Sequence, residues 1–121
     1  MREHSPDVAR ADSAHVARLT VDLQQLYGSV LRWSQSRWSS QASDGRSRAD
    51  VGYALILDLA VLGARAGSGA PPSLRPPRLG DHVLADQLLV LGSELVAAPR
   101  ADDVAADAAA AVRATRRLLL G

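Results

Sequence analysis

The segment VARLTVDLQQLYGSVLRW, residues 16–33, decides the fold, because its apolar residues recur at alternating steps of three and four. The recurring positions are Val16, Leu19, Leu23, Leu26, Val30 and Trp33. This spacing places them on one face of an α-helix and leaves the polar residues on the other faces. The pattern predicts a first helix with Ser13 as its N-cap, continuing to about Trp38 or Ser40.

A second helix is predicted over residues 48–65, after the turn signal Asp44-Gly45. Ser47 and Asp50 have the spacing of a capping box, with Asp in the position usually held by Glu or Gln. The following residues are apolar on nearly every side of the helix. A helix without a polar face is typical of a central element that contacts neighbours on several sides.

Two more helices are predicted in the last third of the chain. The third runs from about Asp81 to Ala98 and stops at Pro99, and the fourth begins at Ala101 or Asp102. The third carries one leucine stripe, consisting of Leu84, Leu88, Leu91 and Leu95. The link between these two helices is short, which predicts an αα-hairpin.

Residues 67–80 form the one long linker, with Gly and Ser followed by two Pro-Pro pairs. A stretch of this composition is extended and semi-rigid, so it could span a bundle or let the last two helices swap onto a second copy. We therefore expect an all-α fold, an antiparallel four-helix bundle with a Pro/Gly-rich crossover between helices 2 and 3. Residues 1–12 are predicted to be a flexible leader, and residues 13–121 a single helical-bundle domain.

The composition of the chain excludes some kinds of functional site and makes others less expected. The chain is 47% hydrophobic and has no cysteine, which excludes disulfides, thiolate metal sites and Cys nucleophiles. The polar N-terminus and the charges within the longest apolar run, residues 51–66, predict a cytoplasmic protein without a membrane segment. The net charge of +1 gives no overall case for a polyanion partner. All 14 basic residues are Arg, a bias expected from the codons of a high-GC bacterium.

Asp58 is the one carboxylate within the apolar run LILDLAVL of the second helix. A buried carboxylate requires a partner or becomes protonated, so an ion pair with Arg32 or Arg37 is the first interpretation. The second is a ligand-binding or catalytic carboxylate, and the third is exposure on a narrow polar strip.

The segment RWSQSRW interleaves arginines with tryptophans, and two further arginines follow it. These six candidate residues are Arg32, Trp33, Arg37, Trp38, Arg46 and Arg48. Guanidinium groups bind phosphate and indoles stack on bases, so the mixture suits single-stranded nucleic acid or another anion. The same residue types are also typical of protein–protein hot spots, and of Trp packed over the end of a bundle with Arg at its rim.

The sequence contains no nucleophile triad, phosphate-binding loop or dinucleotide-binding motif. Its two Glu residues form no Glu-x-x-His pair, so we expect no metal and no cofactor. The resulting hypothesis is a non-enzymatic interaction or regulatory module that forms a homodimer or docks a protein partner, although enzymatic activity is left open. The alternatives are a nucleic-acid or anion-binding module using residues 32–48, and a small-molecule pocket around Asp58.

Overall fold

The computed structural model of the protein describes residues 6–121, with side chains from Ala14 onward. Within this range the regular structure is helical, which confirms the all-α prediction. A short 3₁₀ turn, Asp81–Val83, leads directly into the fourth α-helix. The α-helices are α1 (Pro6–Val30), α2 (Gln35–Ser39), α3 (Arg48–Arg65), α4 (Leu84–Ala97) and α5 (Ala101–Leu120).

Helix α1 begins earlier and ends earlier than its apolar pattern predicted. It starts at Pro6 instead of Ser13, because proline is well suited to the first helical position. Of the predicted leader, residues 1–5 lie outside the described residues and residues 6–12 belong to α1. The helix ends at Val30 instead of continuing to about Trp38.

The chain turns after Val30 and starts a new helix, α2, at a local cap. The Ser34 hydroxyl oxygen accepts a hydrogen bond from the backbone N–H of Arg37 at 3.2 Å, which satisfies one of the first N–H groups of α2. In a continuous helix Trp38 would lie about 12 Å beyond Val30 along the axis. The break instead lets Trp38 fold back onto the first turns of α3, where it is 2% exposed.

Helix α3 has the predicted limits, Arg48–Arg65, and the predicted cap. The Ser47 hydroxyl accepts from the backbone N–H of Asp50 at 3.0 Å, while the Asp50 carboxylate pairs with Arg78 at 2.8 Å. The prediction that α3 lacks a polar face is wrong. Asp50, Asp58, Val61 and Arg65 recur at helical spacing and form an exposed strip.

The four long helices pack as two layers, α1 with α5 and α3 with α4. Helices α1 and α5 run in the same direction, because Val16 lies beside Ala101 and Asp22 pairs with Arg113. Helices α3 and α4 also run together, since the Cα of Gly63 faces the Leu95 side chain near one end of both helices and Leu59 lies beside Leu91 one turn earlier.

The two layers run in opposite directions. At one end of α3, Arg48 donates to the carbonyl of Leu119. At the other end, the backbone N–H of Arg100 donates to the carbonyl of Ala66 at 2.8 Å. Helix α5 packs mainly on α1 and α3 rather than on α4, although the short link through Pro99 joins it to α4. The predicted proximity of α4 and α5 as a hairpin therefore contributes little to the core.

The core lies between the layers and follows the predicted apolar faces. Leu19, Leu26 and Val30 of α1 are at most 1% exposed, and each buried Leu or Val contributes about 1.5–3 kcal/mol relative to an exposed position. From α5 the core receives small residues, among them Ala105, Ala108 and Ala109, which allow α1 and α3 to approach closely. Of the predicted leucine stripe on α4, Leu84, Leu88 and Leu95 are buried and Leu91 is partly buried.

Residues 66–80 connect α3 to the start of α4 without regular structure and lie over these two helices. The Tyr53 hydroxyl donates to the carbonyl of Pro76 at 2.6 Å, and Gln87 Nε2 donates to the carbonyl of Pro77 at 3.1 Å. Arg78 stacks on the Tyr53 ring, 5.1 Å from its centre. These contacts hold the second half of the segment to both helices. None of the described helices is long and apolar enough to cross a bilayer.

The close approach of α1 and α4 depends on Gly92, whereas Gly28 has open space beside it. A Cβ at residue 92 would lie 2.7 Å from the terminal methyl carbons of Leu23, but none of the neighbouring atoms lies within 4 Å of a Cβ at residue 28. Gly28→Ala should therefore gain about 0.5–1 kcal/mol of unfolding free energy from helix propensity. Gly92→Ala has the same gain but overpacks Leu23, at a cost of about 1–3 kcal/mol.

Urea unfolding of both variants measures this difference. Gly92→Ala should be less stable than Gly28→Ala by about 1–3 kcal/mol, with unchanged m-values. Equal stabilities for the two variants would show that α1 and α4 do not approach as closely as described.

Candidate functional site

Three of the predicted site residues lie together on the surface at the end of α1. Arg32 and Arg37 are exposed, and Trp33 is partly buried between Arg37 and the core. The Arg37 guanidinium lies 4.8 Å from the centre of the Trp33 ring, in the geometry of a cation–π contact. We call Arg32, Trp33 and Arg37 the Arg/Trp patch.

Trp38 belongs to the core. Its ring meets Trp33 edge to face with the centroids 4.8 Å apart, and its Cζ3 atom lies 3.2 Å from the position of a Cβ on Gly52. A buried indole at this position supports the Arg/Trp patch from below and is inaccessible to a ligand.

Arg48 is occupied by contacts within the chain. Its Nε donates to the carbonyl of Leu119 at 2.9 Å, and its Nη1 donates to the Ser40 hydroxyl and to the carbonyl of Gln41. The Leu119 carbonyl is one of the last of α5, which has no partner within its own helix. Arg48 thus joins the end of α5 to the loop before α3, a structural role.

Arg46 is exposed and forms a local pair with Asp44. Its Nε and Nη2 each lie 2.7 Å from Asp44 Oδ2, and its backbone N–H donates to Oδ1 at 3.1 Å. The hydrogen bonds from the side chain and backbone of Arg46 hold the pKa of the Asp44 carboxyl below its usual value. This pair stabilises the turn at Gly45, whose φ of 91° is in the left-handed region that glycine favours.

Asp58 is exposed, so the expectation of a buried ion pair with an arginine of the first helix is wrong. It makes no ion pair with any side chain that the structure describes. Asp58 lies six residues beyond Gly52 on α3, about 9 Å further along the helix axis than the contact with Trp38. The structure therefore does not join Asp58 to the Arg/Trp patch.

Within residues 14–121, no three His, Asp or Glu side chains converge in a geometry suited to a metal ion. The prediction that the chain needs no metal remains a prediction, because residues 1–13 contribute further acidic and histidine side chains outside this range.

An apolar groove lies along the outer side of α4. It was not predicted from the sequence. Its volume is about 330 Å³. It lies between α4 and the segment before it, and is lined by Pro76, Leu79, Val83, Val90 and Leu91, with Asp86 and Gln87 among them. Val83, at the end of the 3₁₀ turn, and Val90, in α4, are seven residues apart, which is close to the spacing of one helix face. That spacing was the available signal, but the stronger leucine stripe of the same helix obscured it.

A second cavity of about 260 Å³ lies on the inner side of residues 68–77. It shares Pro76 and Leu91 with the apolar groove, and Leu59, Leu74 and Glu94 are among its other lining residues. The segment therefore has unfilled apolar space on both sides, and Leu74 is 56% exposed.

A groove of different character lies between α1 and α5, on the opposite layer. It has a volume of about 570 Å³ and carries Arg113, Arg116 and Arg117 opposite Gln25. Asp22 lies in its wall, 8% exposed, and its Oδ2 accepts from Arg113 Nη1 at 2.9 Å. These three arginines were not among the site residues predicted from the sequence, and cations in the last turns of a helix also interact favourably with its dipole.

Comparisons of this chain with protein-family models, with curated proteins and with solved structures found no match.

The structural role of Arg48 can be separated from a ligand-binding role by replacing Arg48 and Arg46 with lysine. A lysine keeps the charge but cannot reach the three acceptors that the planar guanidinium joins. Arg48→Lys should lower the free energy of unfolding by about 1–2 kcal/mol, while Arg46→Lys, in an exposed pair, should change it by less than about 0.5 kcal/mol. Chemical denaturation checks both values, and equal stability of the two variants would refute the structural role.

Proposed function

We propose that this chain is a non-enzymatic helical module that binds a second copy of itself through the apolar groove of α4. The scaffold in this proposal is a four-helix bundle with antiparallel layers, in which residues 66–80 cross from the end of α3 to the start of α4. The absence of cysteine fits the cytoplasm as its location. The observation that carries the proposal is the groove itself, with half-exposed apolar side chains on both sides.

Three of the seven large apolar side chains that are exposed among the described residues lie at or beside this groove. Leu74, Leu79 and Val90 are 56%, 49% and 54% exposed. Contiguous apolar surface of this kind is typical of interaction sites, whereas single exposed apolar residues are common on any protein. Covering these side chains would contribute about 25 cal/mol for each Å² removed from water.

The shape of the surface supports a second copy as the occupant. Leu74 is 56% exposed and lines the cavity at one side of the segment, and the groove between Leu79 and Val90 lies at the other side. In a two-fold interface each contact occurs twice, so Leu74 of each copy can enter the groove of the other. An exposed leucine next to an open apolar groove supplies the two parts that such a repeated contact requires.

Val90→Lys tests this interface, with Val21→Lys as a matched control. Both valines are about half exposed on long helices, but Val21 lies on α1, away from the groove. The wild-type protein should have twice the monomer mass in light scattering at micromolar concentration. Val90→Lys should weaken the dimer roughly tenfold or more, because a charged ammonium would be enclosed in the interface, and Val21→Lys should leave it unchanged.

A wild-type protein that is monomeric at every concentration up to about 100 μM would refute self-association, since weak specific interfaces persist in that range. Equal weakening by both lysine variants would place the interface elsewhere. The circular dichroism spectrum of each variant confirms that its helices are retained.

A further inference from the structure

The groove between α1 and α5 carries a cluster of arginines on its α5 wall. The three side chains are those of Arg113, Arg116 and Arg117. Residues three and four apart lie on the same face of a helix, so these side chains form one group. Their positions span about 6 Å along the helix axis, which is the scale of a single anionic group.

A buried carboxylate of α1 orients the first of these arginines. Asp22 Oδ2 accepts a hydrogen bond from Arg113 Nη1 at 2.9 Å. The Asp22 side chain is only 10% exposed, whereas the Arg113 side chain is 43% exposed. A guanidinium has five N–H donors in a fixed geometry, and this contact uses one of them. Asp22 therefore holds Arg113 in place while other N–H groups of the same guanidinium stay accessible from solvent.

Arg116 and Arg117 are exposed, and neither forms an ion pair or a side-chain hydrogen bond within residues 14–121. Arginines near the end of a helix often donate to its last carbonyls. In α5 other groups take that role, because the Leu119 carbonyl accepts from Arg48 and the Leu118 carbonyl accepts from a loop N–H. The two guanidinium groups thus keep their donors for a ligand.

The charges of the cluster repel one another. Like charges three or four residues apart destabilise a helix, and this spacing joins Arg113 to both Arg116 and Arg117. Within residues 14–121, Asp22 supplies the one carboxylate within ion-pair distance of the three guanidinium groups. An anion bound between the arginines would remove the repulsion that remains.

The groove also has room and apolar surface beside the arginines. Its volume of about 570 Å³ lies in the range of small-molecule sites, about 300–1,000 Å³. Leu120, which is 40% exposed, lines it together with the amide side chain of Gln25 from α1. These surroundings suit a molecule with an anionic group and an organic part.

We propose that the groove between α1 and α5 binds a small phosphate monoester, with its phosphate at the three arginines and its organic part against Leu120. A phosphate monoester carries about −1.5 to −2 charges at pH 7 and three strong acceptor oxygens, so it can engage several guanidinium groups at once. The groove shares no lining residue with the apolar groove of α4, so the proposal is independent of self-association.

Isothermal titration calorimetry with phenyl phosphate tests the proposal, with phenyl sulfate and inorganic phosphate as matched probes. Phenyl sulfate has the same ring but a single negative charge, and it should bind roughly tenfold more weakly because it forms weaker charge-assisted hydrogen bonds. Inorganic phosphate has the charge without the ring and should bind roughly fivefold more weakly, since it covers no apolar surface.

The decisive variant is Arg116→Gln/Arg117→Gln, compared with Arg65→Gln/Arg75→Gln. Both double variants remove two exposed positive charges, but Arg65 and Arg75 lie on α3 and in residues 66–80. The groove variant should weaken phenyl phosphate binding roughly tenfold or more, and the control should change it by less than about twofold. Circular dichroism confirms that the helices of each variant are retained.

A third variant, Arg116→Lys/Arg117→Lys, keeps the charge but removes the planar donors. It should lose roughly threefold or more in affinity, because an ammonium group does not form the paired hydrogen bonds of a guanidinium. Wild-type affinity in this variant would show that the groove is only a diffuse positive surface, and the proposed site would be wrong.

Three other results would overturn the proposal. The first is no saturable heat with phenyl phosphate at concentrations up to about 10 mM, beyond the range of a weak specific site. The second is equal loss of affinity in the groove and control glutamine variants. The third is equal affinity for phenyl phosphate and inorganic phosphate, which would mean that the groove binds a free ion and does not recognise an organic part.

Discussion

The indole of Trp38 packs against the backbone of α3 at Gly52, and much of the path of the chain follows from that contact. An indole buries a large apolar area, so its burial against α3 outweighs the cost of ending α1 at Val30 and starting α2 five residues later, at Gln35. The residue at position 52 must be small, because a Cβ there would lie 3.2 Å from the ring. One aromatic–glycine contact therefore sets the end of α1 and the start of the loop that follows.

The same contact determines which of the clustered arginines reach solvent. Once Trp38 is folded inward, the loop over residues 40–47 lies on the last turn of α5, where the backbone N–H of Ser43 donates to the carbonyl of Leu118 at 3.2 Å. Arg48 is then within reach of the unpaired carbonyls of α5, and Arg46 folds back on Asp44. The Arg32 and Arg37 side chains, by contrast, are exposed. The difference between structural and available arginines thus follows from where helix α5 ends.

Helix limits and the core could be predicted from the sequence because they depend on local periodicity and on proline, glycine and serine signals. This applies to α3 with its Ser47 cap and to α5. The end of α1 at Val30 could not be predicted from the sequence, because Ser34 is compatible with both a helix interior and an N-cap. Only the burial of Trp38 selects the cap. Asp58 was misplaced because apolar residues such as Val61 share its exposed strip, which hid the polar face of α3. At the site, four arginines and two tryptophans were predicted together from the sequence. Only their contacts in the structure show that Trp38 and Arg48 have structural roles and do not belong to the exposed Arg/Trp patch.

The direction of the helices depends on the length of residues 66–80. A link of two or three residues after α3 would return the chain antiparallel to it, and α5 would then run antiparallel to α1. Arg113 would in that case lie nearer the start of α1 and away from Asp22, with which it pairs. Because the long segment carries the chain back to the start of α3 before α4 begins, α4 runs with α3 and α5 runs with α1. The segment that supplies Leu74 and Leu79 to one surface therefore also determines that Asp22 and Arg113 meet on the other.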